Sequence, residues 1–517
     1  MKEIIQSCVR KGCLIEPDLL DLLRDVSPLI CDNLIETILA VQNRKILTKN
    51  IFFENIKQIV KIFEQIGQTG DELKKNAIQE FFQKFCDFSK EKEEKELVKN
   101  YDSGLEIVKS YNIQSRKVTV EDFVKYFKAR LIELKNVLQE RTELTNLTSI
   151  NKISSQRQNV SIIGIIYNIK TTKNKNIILE IEDMTGKITT LVHNSKEDLI
   201  KKAKELVADE VVGLRCNGNS EILFVNDIVT PDIFVEKKKT KGNGYAAFIA
   251  DLHVGSTKFL EETFLKFIKW INGELGNEQQ REISKKVKYL FIVGDIVDGV
   301  GIYPGQEDEL SIKNISEQYQ KAAELLGQIR GDVNIVICPG NHDAVRITEP
   351  QPQLDLKYAE SLYKLKNAFF VSNPAIINLH NGNEKGFDIL LYHGYSFDYY
   401  ANNIDAIRLN GGYKKPELIM HFLLKKRHLA PTHSSTLYFP QESDPLIIGL
   451  VPDIFVSAHV HKSAISQYNN ILTISCSCWQ AKTSFQEKVG HEPDPCKVPL
   501  LNLENGKINM LDFSGQK

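Results

Sequence analysis

Several features that would narrow a reading quickly are missing from this chain. No apolar run approaches the ~18 residues of a membrane-spanning helix, so no span is expected. Met1 to Pro17 carry scattered charges and lack an apolar stretch, so no secretory signal is expected and the cytoplasm is the simplest compartment. Cysteine is sparse and badly arranged: nine residues, an odd number, with no Cys-x-x-Cys pair. The nearest approach is Cys476 and Cys478, separated by one residue. That argues against a disulfide framework and a zinc ribbon, and for buried free thiols. An excess of positive charge is also absent, since 66 Lys and Arg face 67 Asp and Glu for a net charge of -1. A protein holding nucleic acid alone through its phosphates is usually basic. Any DNA contact therefore calls for a local patch or a partner.

What is present is ordinary in bulk: 517 residues, 42% hydrophobic and 26% charged, as in globular chains too long for one core. Two to four domains are expected.

The patterning divides the chain. Residues 1–66 show helical periodicity, as in Leu19, Leu20, Leu22, Leu23 and then Leu34, Ile35, Ile38, Leu39, with Asp18 after Pro17 at a helix start. This reads as a small N-terminal helical domain. Residues 67–156 read as a charged linker and a helix. Lys90 to Lys99 is a dense mixed-charge run, a solvated face or a flexible linker. Ile78, Phe81 and Phe82 have the spacing of the apolar plug in a sliding-clamp-binding peptide, although Lys75 stands where such peptides usually start with Gln. The competing meaning is an amphipathic helix with an aromatic face. Thr119 to Glu140 is a helix candidate, with Phe123, Phe127, Leu131, Leu134 and Leu138 on one side and Thr119 as cap.

From residue 157 the period changes. Val160–Ile169, Ile177–Glu182, Lys187–Val192, Asp209–Cys216 and Glu221–Thr230 are five β-rich runs separated by turn residues. They fit a small closed barrel of the OB type over residues 157–236. Such a barrel can bind single-stranded nucleic acid through basic and aromatic residues, but this one offers only Tyr167, Phe224 and Phe234. Protein scaffolding is at least as good a reading. Residues 237–244, basic and then Gly-rich, read as an interdomain linker.

Residues 245–517 alternate strand-like and helical runs, as an α/β sheet with helices outside. The apolar runs are Tyr245–Ala250, Tyr289–Val293, Val333–Ile337, Ile389–Tyr392, Asp453–Val456 and Ile471–Ile474. A polar cluster follows five of the six directly: Asp251 and His253; Asp295 and Asp298; Asn341, His342 and Asp343; His393; His459 and His461. Ligands in such folds sit beyond the carboxyl ends of strands. Each cluster alone is weak, because a lone His is more often structural than a ligand. All five in order are hard to obtain by accident. Imidazole and carboxylate donors suit Mn, Fe or Zn. Two divalent ions about 3.5–4 Å apart, sharing a bridging carboxylate, activate a bridging water and neutralise phosphate oxygens during in-line attack.

This ordered set resembles the calcineurin-like metallophosphoesterases. The resemblance implies that Asp251, His253, Asp295 and His461 hold one metal, that Asp295 bridges, and that Asn341, His393 and His459 complete the second site. It implies that His342 is not a ligand but stabilises the transition state or protonates the leaving oxygen. Asp343 is placed to orient His342, and Asp298 to support the ligands. Ala458 stands where the family often has Gly, a small change. The implied cofactor is a pair of divalent ions, manganese first, with iron, zinc and magnesium as alternatives.

A narrower resemblance lies in Gly299–Gln306, Pro339–Leu354 (PGNHDAVRITEPQPQL), Lys425–Pro431, Trp479–Gln486 and the Phe-x-x-Phe-x-x-Trp helix within Asp251–Gly273. These stretches, and the domain order, resemble the small-subunit family of archaeal family D DNA polymerases over about residues 119–517. The implied fold class is multidomain α+β: an N-terminal helical domain, an OB-fold barrel, and an α/β metallophosphoesterase β-sandwich flanked by helices. The implied activity is 3′–5′ exonucleolytic proofreading of single-stranded or mismatched DNA ends, in a heterodimer with a large polymerase subunit. The sliding clamp is a further candidate partner. Related eukaryotic B subunits have lost the ligands and act as scaffolds, whereas this chain keeps every ligand and His342. A scaffold with a vestigial metal site and a stand-alone nuclease or phosphatase are the competing readings. Lys425, Lys426, Arg427 and His428 are candidates to steer the DNA backbone, against a solvated helix end. Trp479 and Phe485 are read as core or as catalytic mouth and partner interface, and His421 and His433 as structural.

Overall fold

The computed structural model describes residues 104–111, 113, 115–233, 242–381 and 384–515, with isolated residues between 6 and 47. The chain divides into two compact units, Met1–Tyr101 and Asp102–Lys517. In the first, Gln6, Cys8 and Arg10 are helical, and Leu14–Ile15 pairs in parallel with Ile46–Leu47. The rest of the expected helical domain, the clamp-like Ile78, Phe81 and Phe82, the Lys90–Lys99 run and most of the 237–244 linker lie outside the described residues.

The second unit opens with a strand inside the segment whose composition reads as a charged linker. Leu105–Lys109 pairs antiparallel with Ala375–Asn381. Helix Val120–Gln139 follows, and at its start the backbone amide of Thr119 donates to Asp122 Oδ2 at 2.8 Å. The buried face of this helix is Tyr126, Arg130, Leu131, Leu134 and Leu138, a helical spacing. Phe123 and Phe127, expected on that face, are half-buried at its margin.

The five β-rich runs become strands Gln158–Thr171, Ile177–Asp183, Gly186–Val192, Val211–Gly218 and Leu223–Val229. They close into a barrel in the order first, second, third, fifth, fourth. Helix Glu197–Lys204 lies between the third and fourth strands. Period-two burial fills the barrel: Ile177, Leu179 and Ile181 point inward from one strand.

Two six-stranded sheets make up the remainder. The first runs Ala368–Phe370, Asn334–Cys338, Val287–Val293, Tyr245–Ile249, Lys497–Asn502 and Ile508–Asp512, its first four strands parallel. The second runs Ala464–Tyr468, Ile471–Ser475, Ile454–Ser457, Glu384–Leu391, Ala375–Asn381 and Leu105–Lys109. Central strands such as Val287–Val293 are buried almost continuously, as parallel strands covered on both faces are. Helix Glu261–Ile271 buries Phe264, Phe267, Trp270 and Ile271 on the first sheet. Trp479 belongs to that core, fully buried with its ring 4.9 Å from Phe264, so the core meaning holds over the catalytic-mouth one. The side chain of Phe485 lies outside the described residues. Among the described residues no helix is long and apolar enough to cross a membrane.

Candidate metal centre

The site forms where the carboxyl ends of both sheets' central strands converge. Asp251 stands two residues past Ile249, Asp295 two past Val293, His393 two past Leu391 and His459 two past Ser457; Asn341 stands three past Cys338. Parallel strands bring these loops to one end of the sheet, which is why residues so distant in sequence meet. The backbone is bent to do so. Asp251 (φ 51°), His253 (φ 52°), Asp295 (φ 51°), His459 (φ 71°) and His461 (φ 56°) all adopt the left-handed conformation. Non-glycine residues rarely do, and such strain concentrates at functional sites. Two glycines make the close approach possible. A Cβ at Gly294 would sit 2.3 Å from His393 Nδ1, and one at Gly340 would sit 2.2 Å from Asp295 Oδ1.

Asp251, His253, Asp295, His393 and His461 are buried. Their donor atoms fall into tight groups: Asp251, His253 and His461; Asp295, His393 and His459; and His253, Asp298 and His342. Asp295 is central. Its Oδ2 lies 3.2 Å from His393 Nε2 and 3.9 Å from His253 Nε2, and its Oδ1 accepts from the His342 backbone amide at 2.8 Å. His393 Nε2 also lies 3.1 Å from Asn341 Oδ1, and His253 Nε2 lies 3.1 Å from His461 Nε2. Asp251 Oδ1 is buried without a hydrogen-bond donor.

The far nitrogens of three rings are held by oxygens. His253 Nδ1 faces Asp298 Oδ1 at 3.1 Å, His393 Nδ1 the Val293 carbonyl at 2.8 Å, and His459 Nε2 Asp398 Oδ2 at 3.2 Å. A ring nitrogen that donates outward leaves the inner nitrogen free as a ligand. The His461 Nδ1 instead meets the Gln486 amide nitrogen at 3.0 Å. Asp298 is itself fixed by the amides of Gln306 and Gln480, each at 2.9 Å. Burial raises the Asp251 carboxyl to about 6, against the lowering effect of His393. Burial also acts on Asp295, but the imidazoles of His393, His342 and His253 outweigh it and hold this carboxyl well below the usual range. The pair of acids lifts His393 to about 10 in spite of its burial. An oxygen-and-imidazole set with a central carboxylate and an unpartnered buried carboxylate oxygen fits hard or borderline divalent cations.

The cleft above these groups has a volume of about 250 Å³. His342 and Asp398 line it with the donors. The His342 Nδ1 faces the Asp298 carbonyl at 2.7 Å.

Two expectations change. Asp343 was to orient His342, but its carboxylate turns the other way. It accepts from the Gly340 amide at 2.8 Å and the Tyr319 hydroxyl at 3.2 Å, so it shapes the loop, and the Asp298 carbonyl holds the His342 ring instead. The basic cluster, read either as steering DNA or as a solvated helix end, is largely engaged inside the protein. Lys426 is buried and paired with Glu210 at 2.7 Å, and Lys425 pairs with Glu205 at the same distance. Arg427 donates to the carbonyls of Ile448 and Gly449. Two barrel glutamates, invisible as partners in sequence, claim the lysines. His433 stacks obliquely on Tyr438 with centroids 4.7 Å apart and His421 on Tyr468 at 5.2 Å, both away from the site. Asp398, Gln306, Gln480 and Gln486 were not singled out by the sequence reading. The three glutamines lie in stretches that carried the family resemblance, whereas Asp398 had no motif to mark it.

Residues 245–463 match the calcineurin-like phosphoesterase family. Fold, donor set and this match together define a calcineurin-like phosphoesterase domain. The chain is also 41% identical over 397 residues to the DNA polymerase II small subunit of Methanothermobacter thermautotrophicus, covering 76% of this chain and 80% of that one. It is 34% identical over 462 residues to the same-named protein of Archaeoglobus fulgidus, covering 87% and 91%. The match to that of Pyrococcus furiosus is 38% over 416 residues, spanning 79% of this chain and 66% of the relative. The chain belongs to the DNA polymerase II small subunit family of the archaea, and membership implies a large catalytic subunit as partner.

Proposed function

We propose that this chain is the 3′–5′ exonuclease of a heterodimeric replicative DNA polymerase, hydrolysing phosphodiester bonds at single-stranded or mismatched ends. The observation that carries the reading is the Asp295 carboxylate, set between the Nε2 atoms of His393 and His253. Asp251, His253, Asp295 and His461 would hold one divalent ion, and Asp295, Asn341, His393 and His459 the second. When bound, such a pair activates water and neutralises the charge that builds on phosphate. The protein's own share is positional. Asp298 and Asp398 fix the rings of His253 and His459, and Asp343 braces the loop that carries Asn341 and His342. We assign His342 to the leaving oxygen or to the developing charge on the phosphate, through its Nε2. The five-stranded barrel, with its helix between the third and fourth strands, we take as an OB-type module over residues 157–236. The phosphoesterase domain extends from 245 to 517 and borrows the strand Leu105–Lys109. DNA, and the sliding clamp through Ile78, Phe81 and Phe82, belong to the same proposal.

The test is a manganese-supplemented nuclease assay on 3′- and 5′-labelled single strands, with Asp295→Ala alongside. Stepwise 3′ shortening that the variant lacks is the expected result. Absence of cleavage by the wild-type chain, alone and with the large subunit, would leave a scaffold in place of an enzyme.

A further inference from the structure

The walls of the cleft carry chemistry that the metal centre does not use. Among the described residues lining it there is no lysine and no arginine. Its non-ligand lining includes Ile302, Tyr303, Ile347 and Tyr395. Ile302 and Ile347 are 38% and 48% exposed, on two different loops flanking His342. Exposed aliphatics scattered singly mean little, but these two share one cleft with the reacting groups.

Ile302 is also held firmly. Its backbone amide donates to Gln306 Oε1 at 2.9 Å, and the same buried side chain donates through Nε2 to the Asp298 carbonyl and carboxylate. The Gln318 amide pins Gly299 through both its N–H and its carbonyl. A Cβ at Gly299 would come within 2.5 Å of the His342 carbonyl oxygen, so the loop lies directly on the catalytic segment. Tyr303 donates to Glu309 Oε2 at 2.8 Å, and the other oxygen of Glu309 accepts from Ser484, next to the cleft-lining Thr483. An apolar residue is thus fixed beside the site by the glutamine that also holds Asp298.

Nucleic acid offers two kinds of surface, charged phosphates and the flat apolar faces of bases. Cations of the protein read the first, and aromatic and apolar groups read the second. With no lysine or arginine among the described residues of the walls, no permanent cation of the protein holds the flanking phosphates there. The base of the flanking nucleotide can be held only when it has left the helical stack. The cleft volume of about 250 Å³ lies just under the ~300 Å³ at which small-molecule pockets begin.

We infer that Ile302 and Ile347, with Tyr303 and Tyr395, form an apolar clamp for the unpaired base next to the scissile phosphate, so that base unstacking rather than backbone charge selects the substrate. The inference rests on the nuclease reading for the identity of the phosphate, but its test separates the two. The full chain is titrated, with calcium in place of manganese, with a short labelled single strand and with the same strand made abasic at its 3′ end. The wild type is expected to bind the base-bearing strand about tenfold more tightly, and the Ile302→Ser/Ile347→Ser double variant to lose that preference. Manganese-supported hydrolysis of bis(p-nitrophenyl) phosphate, a diester with no base or sugar, is expected to stay within about twofold of wild type in the double variant, since no ligand is touched. A preference that survives in the variant, a wild type with none, or a parallel loss on the small diester would overturn the clamp. A wild type that hydrolyses neither substrate would overturn the nuclease reading, while the binding comparison would still decide the clamp.

Discussion

Two buried clusters of charge sit in the same unit, and they are built on opposite terms. In the cleft, left-handed backbone pushes carboxylates and imidazoles together, two Nε2 atoms face each other at 3.1 Å, and Asp251 Oδ1 has no donor. Beneath the barrel, Arg130 donates to Asp444 at 2.6 Å, to the Pro431 carbonyl at 2.9 Å and to the barrel's Asp209 carbonyl at 3.1 Å. The Tyr126 hydroxyl and His428 Nε2 complete Asp444 at 2.5 and 2.8 Å, and Arg130 packs its plane against the rings of Phe127 and Tyr438. Arg130, His428 and Asp444 have ordinary negative φ, and only Asp209 (φ 69°) among the residues named for this cluster is left-handed. The second cluster joins helix, barrel and phosphoesterase around a cation–carboxylate pair, with Arg130 Nη2 left without a hydrogen-bond partner. The first keeps donor atoms converging and unspent, the condition of a site built for something to bind. Burial does not distinguish them; pairing does, since one sets a cation on its carboxylate and the other crowds carboxylates and imidazoles around shared space.

The comparison can be broken most severely in the cleft. His342→Ala is expected to lower hydrolysis by about 10²–10⁴-fold, as for a lost proton-transfer group, with divalent-ion affinity kept. Turnover at the wild-type rate would remove its role. In the other cluster Arg130→Ala leaves Asp444 buried without its main partner. Denaturant unfolding should show a loss of about 3–5 kcal/mol, while activity per folded molecule stays near wild type. A stable variant, or an inactive one, would blur the distinction between the clusters.

A smaller effect sharpens it. Asp398→Asn removes the carboxylate that orients His459, and calorimetry should read about 10–100-fold weaker divalent binding. Unchanged affinity would make Asp398 incidental to the site. The smallest effect is in pH. His428 Nδ1 accepts from the Ala430 amide at 3.0 Å, so the neutral ring is the one that fits. Burial first, then Arg130, lowers its pKa to about 4 from the ordinary 6.5. The unfolded chain takes up the proton first on acidification. The stability from neutral His428 is therefore present above about pH 6.5 and falls as pH drops towards 4. Asp343 and Glu349, both raised to about 7 by burial, act in the opposite sense. Wild type should therefore be compared with His428→Gln. Their stability difference should shrink on going from pH 7 to 5, and a constant difference would mean that His428 does not titrate.

Much of this was legible beforehand. The barrel strands agree with the five β-rich runs to within a few residues, because alternating burial writes itself into sequence. The six apolar runs of residues 245–517 are all strands, since central parallel strands are apolar throughout. Among the described residues of the second unit six strands escaped notice, and two of them, Ala375–Asn381 and Lys497–Asn502, are well buried; the other four are short or exposed. Ala464–Tyr468 and Ile508–Asp512 contain no fully buried residue, and Leu105–Lys109 is a short run inside a segment that reads as linker. Helix Glu197–Lys204 buries only Leu199 and Ala203, too little periodicity to announce itself.

The sequence by itself determined which side chains meet in the cleft, because each follows a strand whose end the sheet must bring there. Tertiary structure alone decided which groups hold them. Asp398 reaches His459 across 61 positions and Glu210 reaches Lys426 across more than 200, so no local pattern encodes either pairing. A ligand's identity is a matter of residue type and position along its strand. Its partner is a matter of distance in space, which only the packed chain defines.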